Sequence, residues 1–226
     1  FRRVLFRSYG DGYSHNMYIG AVRSFTLRLS WSHDADNGHL VKSRAATNTI
    51  EFNRLTQQAG TGSYELDLPN GGLSYVIGNV IQQGPSSGNS TLIAYGEEGV
   101  TKPSSQLYVI NNTLVNDKAT GTALLTGAQV TSSVRFQNNV AANFPTLVTQ
   151  AGATMTTNCV GPNPGFVNRA AFDHRLVVGS PCIDVASAPG SGDGYPLAPR
   201  LQYVYDVGLA ARPTNGAAAD AGAFET

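Results

Sequence analysis

Apolar and polar positions along the chain follow one short recurring pattern. An apolar-x-x-Asn-x-apolar signature stands at Ile50-Glu51-Phe52-Asn53-Arg54-Leu55 and again at Val76-Ile77-Gly78-Asn79-Val80-Ile81. It returns around Asn112 (Val109 to Leu114), Asn139 (Phe136 to Ala141) and Asn158 (Met155 to Val160), and Leu27 to Ser32 fits it with Ser30 in the Asn place. From Ser30 to Asn158 the steps are 23, 26, 33, 27 and 19 residues. A drifting period in the twenties suits stacked β coils, whose loops lengthen without disturbing the stack.

A second short run precedes each signature: Met17-Tyr18-Ile19, Leu40-Val41-Lys42, Glu65-Leu66-Asp67, Leu92-Ile93-Ala94, Ala123-Leu124-Leu125 and Leu147-Val148-Thr149. Several of these alternate apolar with polar, as half-buried strands do. No window carries a helical stripe of useful length. The pattern predicts an all-β coil of about six to seven rungs over residues 14–186, each rung hydrogen-bonded to the next at about 4.8 Å. The repeated Asn is expected at a turn, in left-handed backbone, its amide bonded from rung to rung. The Gly/Pro/Ala-rich residues 187–226 break the repeat and read as an irregular cap, returning along the coil and covering its open end against edge pairing.

Composition narrows the function classes. The chain has 226 residues, enough for a real core in one domain. Its 15 basic and 15 acidic residues cancel, which argues against nucleic acid as partner, since phosphate binding needs surplus Lys and Arg. No apolar run reaches the roughly 18 residues of a membrane helix. Cys159 and Cys182 allow one disulfide or two reduced, buried thiols. Residues 1–13, from Phe1-Arg2-Arg3-Val4, differ in texture from the rest of the chain and read as a truncated or artefactual N-terminus; no signal peptide is recognisable in this fragment.

With these signatures the chain resembles the right-handed parallel β-helix repeat proteins, the superfamily that includes pectate-lyase-like enzymes. Its tail adds to the resemblance: Gly179-Ser180-Pro181-Cys182-Ile183-Asp184 and the ending Asp220-Ala221-Gly222-Ala223-Phe224-Glu225 are similar to the closing segments of secreted bacterial β-helix proteins. The resemblance implies a secreted or cell-surface protein, expected as a monomer, with a substrate groove along one outer sheet. A disulfide from Cys159 in the last rung to Cys182 would tie cap to coil.

Taking Val41 and Leu66 as equivalent inward residues sets Lys42 beside Asp67 and Leu40 beside Glu65, with Arg44 on the side of Lys42. The expected outward patch holds Lys42, Arg44, Glu65 and Asp67, flanked by Tyr95, Glu97 and Glu98. A polysaccharide lyase working by β-elimination on an acidic, uronate-containing glycan needs a base and a cation for the carboxylate. Lys42 is the candidate base, Arg44 the carboxylate clamp, and Glu65, Asp67 and Asp34 candidate ligands for Ca²⁺. His33 and His39 are candidate acid–base groups, and Trp31, Asn70 and Tyr95 candidate sugar contacts. Val41-Lys42-Ser43 followed by Asn48 is similar to the Lys-bearing rung of β-helix alginate lyases and chondroitinases, although the acidic pair those enzymes carry on the preceding rung is missing. A glycoside hydrolase ranks lower, because no polygalacturonase motif is present. The alternative is a non-catalytic surface β-helix that binds glycan or is structural, with Lys42–Asp67 and Arg44–Glu65 as rung-to-rung ion pairs.

Overall fold

The computed structural model describes residues 13–205 and 208–226. The segment expected to be artefactual therefore lies outside the described residues except for Tyr13. Three parallel sheets of six strands each make up the body, and consecutive strands visit the three sheets in turn. Each circuit is one rung, so the protein is all-β with six rungs, as a parallel β-helix requires. The first sheet takes Tyr18–Ile19, Val41–Ser43, Leu66–Leu68, Thr91–Tyr95, Thr122–Thr126 and Thr146–Val148. The second runs from Ser24–Arg28 in rung 1 to Thr154–Thr156 in rung 6, the third from Trp31–His33 to Cys159–Gly161. Inward columns such as Ile50–Val76–Val109–Phe136 and Leu55–Ile81–Leu114–Ala141 merge into one apolar core.

The recurring asparagines form a ladder at the corner between the second and third sheets. Asn79 Oδ1 accepts from both the backbone N–H and the side-chain amide of Asn53, at 3.0 Å each. Asn112 serves Asn79 in the same way, Asn139 serves Asn112, and Asn158 serves Asn139. The other amide hydrogen goes back to a carbonyl of the rung before, as from Asn79 to Ile50 O and from Asn112 to Val76 O. Each interior ladder amide is thus satisfied inside a corner closed to water, which is what makes the position selective for Asn. The left-handed residue is the one preceding the ladder Asn: Leu29, Phe52, Gly78, Asn111, Asn138 and Thr157 all have positive φ. This corrects the expectation that the ladder residue itself takes that conformation. The ladder side chain must point inward to reach its neighbours, and the turn is made one residue earlier.

After rung 6 the chain turns back along the outside. Cys159 is joined to Cys182 in a disulfide with 5.4 Å between Cα atoms. Phe166, Leu176, Cys182 and Ala221 cover the outward side chains Val115, Val140 and Ala142 of the third sheet, and Ala223 and Phe224 cover Val80. Leu197 and Tyr195 lie on Tyr75, Ile77 and Ile110 of the second sheet. Tyr195 reaches as far as Glu51 (2.7 Å) and Arg28 (2.9 Å). The expectation that the last residues cover the open end is overturned, since Asp220, Gly222 and Ala223 bond to Asn111, Asn138 and Thr113 on the side of the coil. Apolar outward residues on two sheets attract the tail. The first sheet offers a charged outer face instead, and the candidate site lies there.

Candidate functional site

One outward column of the first sheet reads Tyr18, Lys42, Asp67, Ala94, Leu125 from rung to rung. The expected register of Lys42 against Asp67 is present, and Lys42 Nζ lies 2.7 Å from Asp67 Oδ2. A fourth-rung turn completes the group. Gly96 and Gly99 both take positive φ, and a Cβ at Gly96 would stand 2.5 Å from Val130 Cγ2. Gly96 N–H donates to Leu68 O and Glu98 N–H to Pro69 O, so the turn is pinned over the third rung. Glu98 then spans two cations: Oε1 accepts from Lys42 Nζ at 2.8 Å and Oε2 from Arg44 Nη2 at 2.6 Å. Arg44 is held by Tyr18 Oη through Nε (3.0 Å) and by Asn70 Oδ1 through Nη1 (2.6 Å).

His39 closes the inner side. Its ring stacks between His15 (4.6 Å between centroids) and Tyr64 (5.1 Å) from the neighbouring rungs. Tyr64 N–H donates to His39 Nδ1 at 3.1 Å, as His39 N–H does to His15 Nδ1 at 3.0 Å. That leaves the His39 proton on Nε2, which faces Asp67 Oδ2 at 3.4 Å. Burial, then the nearby His15 and Lys42, lowers its pKa to about 3, so the ring is neutral.

The charges of the cluster balance. Burial pulls the Lys42 ammonium down, but its hydrogen bonds to Asp67 and Glu98 outweigh this and hold its pKa above the ordinary lysine value. Burial raises the Asp67 carboxyl, and Lys42 offsets only part of that. Glu98 is held below the usual carboxylate range, first by its hydrogen bond to Lys42 and also by Arg44. Lys42 in this setting is a cation that holds carboxylates. It is poorly placed to accept a proton.

Other expected site residues stand elsewhere. Tyr95 pairs with inward Leu68, is fully buried and donates to Gly72 O at 2.6 Å, so it contributes to the core and not to the outer face. Glu65 is fully buried in the turn before its strand, within 3.5 Å of Ser87 Oγ, and burial lifts its pKa well above the usual range. Arg44 accordingly pairs with Glu98 and not with Glu65. Trp31, His33 and Asp34 belong to the third sheet and the turn after it. Trp31 lies against His33 (4.3 Å) and the Arg54 guanidinium (4.5 Å), and its indole N–H donates to Thr56. His33 Nδ1 meets Asp34 Oδ2 at 2.8 Å, while Asp34 Oδ1 accepts from the Ala59 and Gly60 N–H groups. Glu65, Asp67 and Asp34 therefore do not converge on a shared cation, and no three His, Cys, Asp or Glu groups among the described residues do. Of the residues singled out, Lys42, Arg44, His39, Asp67 and Asn70 come together. The linking role of Glu98 and the stack of Tyr64 and His15 on His39 carried no sequence signal beyond the charge and position of Glu98.

No family model, curated protein or solved structure matches the chain. No helix among the described residues is long and apolar enough to cross a membrane.

Proposed function

We propose that the protein is a non-catalytic, carbohydrate-directed β-helix that holds an acidic, uronate-containing polysaccharide along the outer face of its first sheet. One observation carries the reading: Lys42 and Arg44 are aimed together at a single carboxylate, that of Glu98, one oxygen each. A guanidinium fixed by Tyr18 and Asn70, beside an ammonium fixed by Asp67, is a preorganised carboxylate clamp. Glu98 is 46% exposed and sits on a turn, so an incoming uronate can take its place without reopening the core. Exposed Tyr18 supplies an aromatic face beside the clamp.

Elimination ranks behind binding. A lyase needs a neutral base at the clamp, and Asp67 and Glu98 both favour the charged form of Lys42. We further infer a right-handed coil of the pectate-lyase-like kind, because parallel crossovers are right-handed in about 98% of cases. A secreted or surface location fits the Cys159–Cys182 disulfide, which persists in oxidising compartments.

The test is affinity electrophoresis through gels containing alginate, pectate or glycosaminoglycan, run beside an ultraviolet assay for unsaturated products. Retardation by at least one acidic polymer is expected, weakened at least tenfold in Arg44→Ala and strengthened in Glu98→Gln, with no unsaturated product. Retardation that is absent for every polymer, or unchanged in Arg44→Ala, sinks the binding reading. Product formation abolished in Lys42→Ala restores the lyase.

A further inference from the structure

The two ends of the coil differ. In rung 6 the inward positions are Val148, Met155 and Val160, fixed by pairing with the core residues Leu124, Phe136 and Ala141. Met155 is 53% and Val160 51% exposed, while Val148 is half-buried against the core. The corresponding rung 1 positions Leu27 and Ser32, paired with Ile50 and Leu55, are only 7% and 6% exposed. On the second and third sheets the core is thus open to water at rung 6 and closed at rung 1, while on the first sheet Met17 and Val148 are both half-buried.

The open end also lacks the usual protection of a sheet edge. Three strands there, Thr146–Val148, Thr154–Thr156 and Cys159–Gly161, are the last of their sheets. Natural edges are blunted with charges, proline or a covering segment. Here the chain has no Asp, Glu, Lys or Arg between Arg135 and Arg169, the three strands contain no proline, and the tail runs down the sides of the coil.

We propose that rung 6 is a self-association surface and that its occupant is rung 6 of a second copy of this chain. A two-fold axis across the coil reverses the direction in which the partner's chain circulates, so each edge strand meets an antiparallel one. Such a contact is isologous and closed, and it removes all three edges at once. An uncharged surface meets its own copy without repulsion. Head-to-tail stacking would set Met155 and Val160 against Leu27 and Ser32 of rung 1, which are already closed to water. This dimer takes the place of the monomer expected from the sequence, and it leaves the Lys42–Glu98 site free.

Sedimentation velocity of the full chain over a wide concentration range tests it, with circular dichroism as a check on folding. A concentration-dependent dimer is expected. Met155→Lys and Met155→Glu should each be folded monomers, and mixing the two should restore dimers. A wild-type chain that stays monomeric throughout, a dimer that survives both charges, or an open-ended polymer would overturn the proposal.

Discussion

Lys42 and Asp67 occupy equivalent places on adjacent rungs and meet at 2.7 Å, both side chains nearly closed to water. Removing one partner of such a pair leaves the other buried and uncompensated, which costs about 3–5 kcal/mol. Lys42→Met is therefore expected to lower unfolding free energy by that order, and Lys42→Met with Asp67→Leu to recover most of it. The single variant also carries a pH signature. Asp67 already has a raised pKa, so its contribution is fully present below the unfolded value and lost as pH rises through the folded one. Without Lys42 the folded value rises further, and Lys42→Met should gain stability relative to wild type on acidification. Denaturant titrations at several pH values measure both effects; a double variant no better than the single would refute the account.

The ladder predicts a cost that depends on position. Asn79→Ala leaves the backbone N–H and amide of Asn53 and the carbonyl of Ile50 without their partners, in a closed corner. At about 1–3 kcal/mol for a buried group left unsatisfied, a loss of at least 3 kcal/mol is expected. Asn158 ends the ladder in a partly exposed corner, and Asn158→Ala should cost about half as much or less. Equal losses in chemical denaturation would refute the ladder as the source.

His174 predicts part of the acid sensitivity. It is fully buried, and neither ring nitrogen has a hydrogen-bond partner. Burial lowers its pKa from 6.5 to about 4. Above 6.5 both folded and unfolded chains hold it neutral. As pH falls from there towards 4 the unfolded chain takes up a proton that the folded chain refuses, so stability is lost across that window. His174→Phe, which keeps the ring against Phe166, should be close to neutral at pH 7 and on the order of 2 kcal/mol more stable than wild type near pH 5. Parallel pH–stability curves for the two proteins would contradict this.

The ladder and the Lys42–Asp67 register were legible in the sequence because both follow from strict periodicity. Asn at every corner has one economical use, and Val41 and Leu66 bracket their polar neighbours unambiguously. The face of Tyr95 is not legible, because Leu92-Ile93-Ala94-Tyr95 is apolar throughout and alternation cannot choose a face; pairing of Ile93 with Leu66 decides it. Glu65 lies one residue before its strand, where the chain is still turning and alternation does not hold. The path of the tail depends on long-range matches such as Tyr195 with Glu51, which no local pattern encodes.

The side chain that joins the two cations of the site, Glu98, does not belong to the repeat. It rides on residues 96–106, between the first- and second-sheet strands of rung 4, where rung 2 needs only residues 44–46. The ladder and the paired core columns are built without that loop, which adds only Val100 to the edge of the core. Specificity and scaffold are therefore largely separable in this molecule, and loops grafted here that keep Gly96 and the Val100 contact could retune what the wall recognises while the architecture is inherited.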